Sequence, residues 1–140
     1  MAKAQDINYV TKTGYPKAVT IVNADGTNKK DLITGETDET IVKGIGITSD
    51  DGTARDVALW WYDGSTSYQV GYIAVPASSG TVIGKKAVQA LKIDNVPCAK
   101  LDNSGNPVFQ LKLNEKLQVS VDVAVTAAKT LTVSCQAEDF

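Results

Sequence analysis

Between Leu117 and Val125 every second residue is apolar and aliphatic: Leu117, Val119, Val121, Val123 and Val125 stand against Gln118, Ser120, Asp122 and Ala124. Successive side chains of a strand point to opposite faces, so this period of two predicts a strand over 117–125 with one buried and one wet face. A helix would scatter the same residues around its circumference. A strand cannot bury an apolar face alone, so the rest of the chain must supply a sheet around it and a second layer to cover it.

The remaining sequence has the parts for this. Short runs rich in β-branched and aromatic residues recur at Ala18–Val22, Leu32–Ile33, Thr40–Ser49, Asp56–Tyr62, Ser67–Val75, Val108–Leu113 and Thr130–Gln136. Turn signals separate them: Asp25-Gly26, Asp50-Asp51-Gly52, Asp63-Gly64 and the stretch Asn103–Pro107. Asp-Gly supplies the positive φ of a type I′ turn, so Asp63-Gly64 predicts a tight hairpin that brings Tyr62 and Tyr68 together across two strands. Gly44 and Gly46 interrupt one face of their run, which predicts a bulge or a close backbone approach. Val88 and Leu91 stand at i, i+3 within Lys85–Lys92, the one helix-like stretch, and two turns of helix need a sheet to rest on. The expectation is an all-β, jelly-roll-like β-sandwich of eight to nine antiparallel strands with one short helix. A chain of 140 residues suits a single domain, expected over residues 16–140 behind a polar N-terminal arm over 1–15.

Composition narrows the chemistry. There is no histidine, which removes Ser-His and Cys-His nucleophile systems and imidazole-ligated zinc. Asp50, Asp51 and Asp56 could line a calcium site or act as acid and base, but an Asp-Asp-Gly turn whose carboxylates cap backbone N–H groups is the simpler expectation. No enzyme, cofactor or metal site is expected. The net charge is −2 and Arg55 is the only arginine, so a basic stripe able to displace counterions from nucleic acid is missing. Met1–Thr13 has no apolar run of the signal-peptide kind, and no stretch has the length of a membrane helix, so synthesis in the cytoplasm without a membrane is expected. Cys98 and Cys135 are too few for a disulfide scaffold; whether they bridge each other stays open.

Surface candidates therefore carry the functional reading. Val57, Leu59 and Trp61 alternate with Ala58, Trp60 and Tyr62, so only one of the adjacent tryptophans faces the core. The other rings of the set Trp60, Trp61, Tyr62, Tyr68 and Tyr72 can be core, a protein contact or a platform for a sugar. The arm carries Ile7, Tyr9, Val10 and Tyr15, enough apolar surface to dock on a neighbour or to remain a tail. The partner-binding candidates are Ile7, Tyr9, Val10, Tyr15, Trp60 and Tyr62.

The segment Lys43–Val75, KGIGITSDDGTARDVALWWYDGSTSYQVGYIAV, with the loop 76–84 after it, is similar to small virion proteins of tailed bacteriophages. So is the end Leu113–Phe140, LNEKLQVSVDVAVTAAKTLTVSCQAEDF. The shared features are a D-G hairpin after an aromatic strand, a turn–K–L–x–V entry to the long strand and a V-T-A-x-K turn before the last one. By size and predicted sandwich the chain resembles the capsid cement, or decoration, proteins. That resemblance implies a jelly-roll domain on the capsid exterior of a virion assembled in the host cell, bound to the phage major capsid protein as a homodimer or homotrimer. It carries over no catalytic motif and no interface residue, and the alternatives are a tail or head-fibre virion module or a carbohydrate-binding β-sandwich module.

Overall fold

The computed structural model describes residues 12–140. Its strands are β1 Lys12–Val22, β2 Lys30–Thr34, β3 Thr40–Ser49, β4 Arg55–Tyr62, β5 Ser67–Val75, β6 Val88–Gln89, β7 Lys100–Leu101, β8 Pro107–Leu111, β9 Lys116–Val121 and β10 Thr130–Asp139. The pairing is nested: β1 lies antiparallel to β10, β2 to β9, β3 to β8 and β4 to β5. Two further pairings, β10 with β3 and β9 with β4, divide these nested pairs between two sheets. One sheet runs β1-β10-β3-β8-β7, with β6 also on β3; the other runs β2-β9-β4-β5. The fold is an all-β sandwich, as the period-two patterning predicts.

The core lies between the sheets. Ile21, Val42, Ile45, Ile47, Leu131 and Val133 from the first sheet meet Val57, Leu59, Ile73, Val75, Leu117, Val119 and Val121 from the second, all buried. Each such side chain contributes about 1.5–3 kcal/mol on leaving water. Gly71 shows how closely the edge of β5 is covered. A Cβ there would stand 2.8 Å from the Asn95 carbonyl and 2.9 Å from Val96 Cγ2, because the segment 90–96 crosses at that point. Tyr72 N–H donates to the same Asn95 carbonyl at 3.3 Å, which removes part of that free edge.

Several expectations are corrected. The helix at Lys85–Lys92 is absent: Val88 and Gln89 pair with Ile47 and Gly46, and Ala90 N–H donates to the Ile45 carbonyl at 2.8 Å. The edge of β3 offers these backbone partners, and a two-turn helix cannot match them in water. The helical piece among the described residues is a 3-10 turn at Asn23–Asp25, where Asp25 Oδ2 accepts from Val22 N–H at 2.8 Å. The Asp63-Gly64 turn is not a two-residue type I′ turn. Only Gly64 has positive φ, the connection spans 63–66, and Asp63 Oδ1 accepts from the N–H groups of Ser65 and Thr66. With that length the strands align Trp61 with Tyr68, so the cross-strand aromatic pair is Trp61–Tyr68 and not Tyr62–Tyr68.

The strand expected over 117–125 stops at Val121; Val123 is 63% exposed while Val125 is buried in the following loop. The chain leaves the sheet there to bring Thr126 onto the Asp51 carboxylate, and that buried polar contact overrides the alternation. At the other end β1 begins at Lys12, several residues before the expected Ala18, so the arm over 1–15 overlaps a strand.

Candidate interaction surface

Strand β4 sorts its aromatic rings by parity. Trp61 points inward, packs against the core and stacks on Tyr68 with centroids 5.9 Å apart. Trp60 and Tyr62 point outward from the β2-β9-β4-β5 sheet, half-buried, and each is held by a hydrogen bond and a lysine. Trp60 Nε1–H donates to Ser120 Oγ at 2.9 Å, and Lys29 Nζ sits 4.1 Å from its ring centroid. Tyr62 O–H donates to the Gly64 carbonyl at 2.9 Å, and Lys116 Nζ lies 5.5 Å from its ring. Such cation–π contacts contribute about 0.5–1 kcal/mol each at exposed sites.

A polar lattice ties the rest of this face. Lys116 Nζ pairs with Asp31 Oδ2 at 2.8 Å, which raises the lysine and lowers the carboxyl relative to their ordinary values. Gln118 Nε2 donates to Asp31 Oδ1 at 2.8 Å, and its Oε1 accepts from Ser67 O–H at 2.6 Å. Tyr72, which is 47% exposed, donates to Asp122 Oδ2 at 3.3 Å. Asp56 first, then desolvation and the charge of Asp122, push its phenol up to about 12. The face is thus aromatic and polar at once, with its rotamers already restrained. That is the composition of protein contacts and a form that costs little ordering entropy on binding.

The other sandwich face differs. Above β10 and β3 it presents small residues, and a shallow groove of about 410 Å³ runs past Pro16, Gly44, Gly46, Val88, Ser134 and Gln136. A Cβ on Gly44 would meet nothing within 4 Å, so this glycine serves no close approach. The irregular register lies opposite, between Gln136 and Ala137, in the bulge form of the expectation.

The acidic turn proves to be a clamp. Asp51 is buried, and its carboxylate accepts from Thr53 N–H, Arg55 Nε–H, Thr126 N–H and Thr126 O–H at 2.8–3.0 Å. Burial pushes this carboxyl up, but the hydrogen bonds from Thr126, Thr53 and Arg55 more than reverse it and hold it well below the usual carboxylate range. Asp50 Oδ1 accepts from Thr130 N–H at 2.7 Å. Among the described residues no cluster of carboxylates and thiols has the arrangement of a metal site.

Ile7, Tyr9 and Val10 lie outside the described residues. Tyr15 is not free to dock on a neighbour: it is buried in β1, where its O–H donates to Asp139 Oδ1 at 2.9 Å and Lys12 Nζ lies 4.0 Å from its ring. Thr40 O–H donates to the same oxygen at 2.8 Å. Burial first, and then Asp139, drives the Tyr15 phenol above its ordinary range. Cys98 and Cys135 are not bridged; Cys135 is buried in β10, where desolvation raises its thiol to about 11, and Cys98 is exposed.

Sequence reasoning left two surface features out of the partner-binding candidates. Tyr72 joins Trp60 and Tyr62 on the outer face because the β4–β5 register sets it opposite Ala58, a parity that the run Ser67–Val75 held but a bulge at Leu59/Trp60 obscured. Val82 and Ile83 stand exposed on the connection from β5 to β6, in a stretch whose small residues masked them. No protein-family model matches the chain, and no curated protein shows significant similarity to it.

Proposed function

We propose that this chain is a capsid cement protein of a tailed bacteriophage: a jelly-roll domain, dimeric or trimeric, that sits on the outside of the virion shell and ties neighbouring major capsid protein subunits together. The nested strand pairs support the jelly-roll reading, since one long antiparallel hairpin rolled into two sheets makes that wiring. The observation that carries the functional reading is the outer face of β4, β5 and β9, where Trp60, Tyr62 and Tyr72 are held in place among amide, hydroxyl and charged groups. A contact of this kind works by area and repetition. Engagement of two or more subunits at once raises avidity by about 10²–10⁴ over one contact, and binding only the expanded lattice stabilises that lattice by linkage.

Stacking of a sugar on this face is the weaker reading, because Lys29 already covers the Trp60 ring that a sugar would need. The experiment is co-sedimentation of the purified protein with empty, expanded shells, followed by thermal dissociation of the particles. Stoichiometric binding and a higher dissociation temperature are expected. Absence of the protein from the pellet, or labelling confined to the tail of intact virions, would remove the cement reading.

A further inference from the structure

The Asp51 end of the sandwich carries apolar side chains that its own core does not use. On the connection 76–87 Ile83 is fully exposed and Val82 is 53% exposed, and Val123 stands out from the loop after β9 at the same end. This connection is anchored. Ser49 N–H donates to the Ser79 carbonyl at 2.9 Å, Ser78 N–H to the Asp51 carbonyl at 2.9 Å, and Thr81 O–H to the Ser49 carbonyl at 3.0 Å. Gly80 N–H donates to the Lys85 carbonyl at 2.9 Å and Lys85 N–H to the Val82 carbonyl at 3.1 Å, so the tip is closed on itself. Gly80 has φ +73°, and a Cβ there would meet Thr48 Cγ2 at 2.8 Å, so the base of the tip is tight against β3.

The backbone that carries these two adjacent aliphatic side chains is already closed and anchored, so a partner has only their rotamers left to order, which lowers the cost of a hydrophobic contact. Lys85 and Lys86 follow after Gly84, both exposed, and neither takes part in an ion pair among the described residues. We infer that Val82 and Ile83 form a knob that inserts into an apolar pocket on the shell protein, and that carboxylates on the pocket rim receive Lys85 and Lys86. This rests on the cement reading and adds a second shell contact, at the Asp51 end, to the outer face of β4, β5 and β9. Charge complementarity selects an acidic rim. The small size of the knob selects a fitted protein pocket over a bilayer, where anchoring takes a larger apolar area or a second signal.

The test compares wild type, Ile83→Asp and the double charge reversal Lys85→Glu/Lys86→Glu for binding to expanded empty shells at two salt concentrations. Because Ile83 touches no core, Ile83→Asp keeps the wild-type thermal midpoint, and it should bind at least about tenfold more weakly, about 1.4 kcal/mol of binding free energy. The charge reversal should weaken binding most at low salt and invert its salt dependence, because screening then relieves repulsion from the acidic rim. Wild-type affinity in Ile83→Asp would overturn the knob while leaving the cement reading intact. Failure of the wild type itself to bind shells would strike the cement reading instead. Ile83-dependent binding to phosphatidylserine–phosphatidylcholine vesicles, or Ile83-dependent self-association in sedimentation velocity, would also overturn the pocket assignment.

Discussion

The two ends of β3 are fastened by buried carboxylates of opposite design. At its Ser49 end Asp51 meets a guanidinium and three Thr donors, and Arg55 Nη2–H continues the network by donating to Thr126 Oγ1 at 2.8 Å. At its Thr40 end, about 30 Å away along a strand of this length, Asp139 is satisfied by the neutral hydroxyls of Tyr15 and Thr40 and takes part in none of the ion pairs of the described residues. Both solutions leave no buried side-chain polar atom without a partner among the described residues. They differ in what holds the charge: a cation and backbone N–H groups at one end, two O–H groups at the other. The comparison teaches that closing a sandwich needs every buried donor and acceptor matched, whichever charge does it, and that the choice sets which solvent condition opens which end.

The largest expected effect follows from breaking the charged end. Asp51→Ala strands Arg55 and leaves the Thr53 and Thr126 N–H groups unmatched, so urea unfolding should show a loss of about 3–5 kcal/mol. At the neutral end Tyr15→Phe removes one of two donors and should cost about 1–2 kcal/mol in the same assay. Equal losses would erase the distinction between the two fastenings.

Titration sharpens it further. The Asp51 carboxyl lies below its ordinary value of 3.8 in the folded chain, so the unfolded chain takes up the proton first. Its contribution is complete above pH 3.8 and is lost as pH falls through the folded value. Tyr15 is shifted the other way from 10.0, so the folded chain keeps that proton longer. Its contribution is complete below pH 10.0 and is lost as pH rises past it. Asp51→Asn should therefore flatten the acid limb of the stability profile and Tyr15→Phe the alkaline limb. Tyr72→Phe is the control for the second raised phenol, whose share is reduced by solvent screening. The smallest effect is at the exposed tip: Ile83→Asp should change unfolding free energy by less than about 0.5 kcal/mol.

Much of the fold was legible because its strands obey one rule. The run Thr40–Ser49 and the run Ser67–Val75 coincide with β3 and β5, where alternation and turn residues agree. Legibility failed where a distant partner decided the local geometry. Nothing near Val123 signals that Thr126 must reach Asp51, 75 positions earlier in the chain. Nothing near Tyr15 announces Asp139, 124 positions later, which turns an apparent arm residue into part of the sheet. Lys85–Lys92 has helical spacing, but the open edge of β3 is invisible from the segment itself. On the surface, Trp60 and Tyr62 could be placed by parity, whereas the lysines that cover them come from other elements and had no local signature.

The pairing of β1 with β10 has a consequence for how the chain comes into being. When β1 leaves the ribosome, its one sheet partner among the described residues does not yet exist, and more than a hundred residues must be synthesised before the register Ile21–Leu131 can form. Hairpin β4–β5 can close early and β3 can pair with β6 and β8, but β1 has to wait for β10, with its apolar side open to water until then. Such long-range closure slows folding, and it leaves the docking of β1 to the moment when β10 arrives.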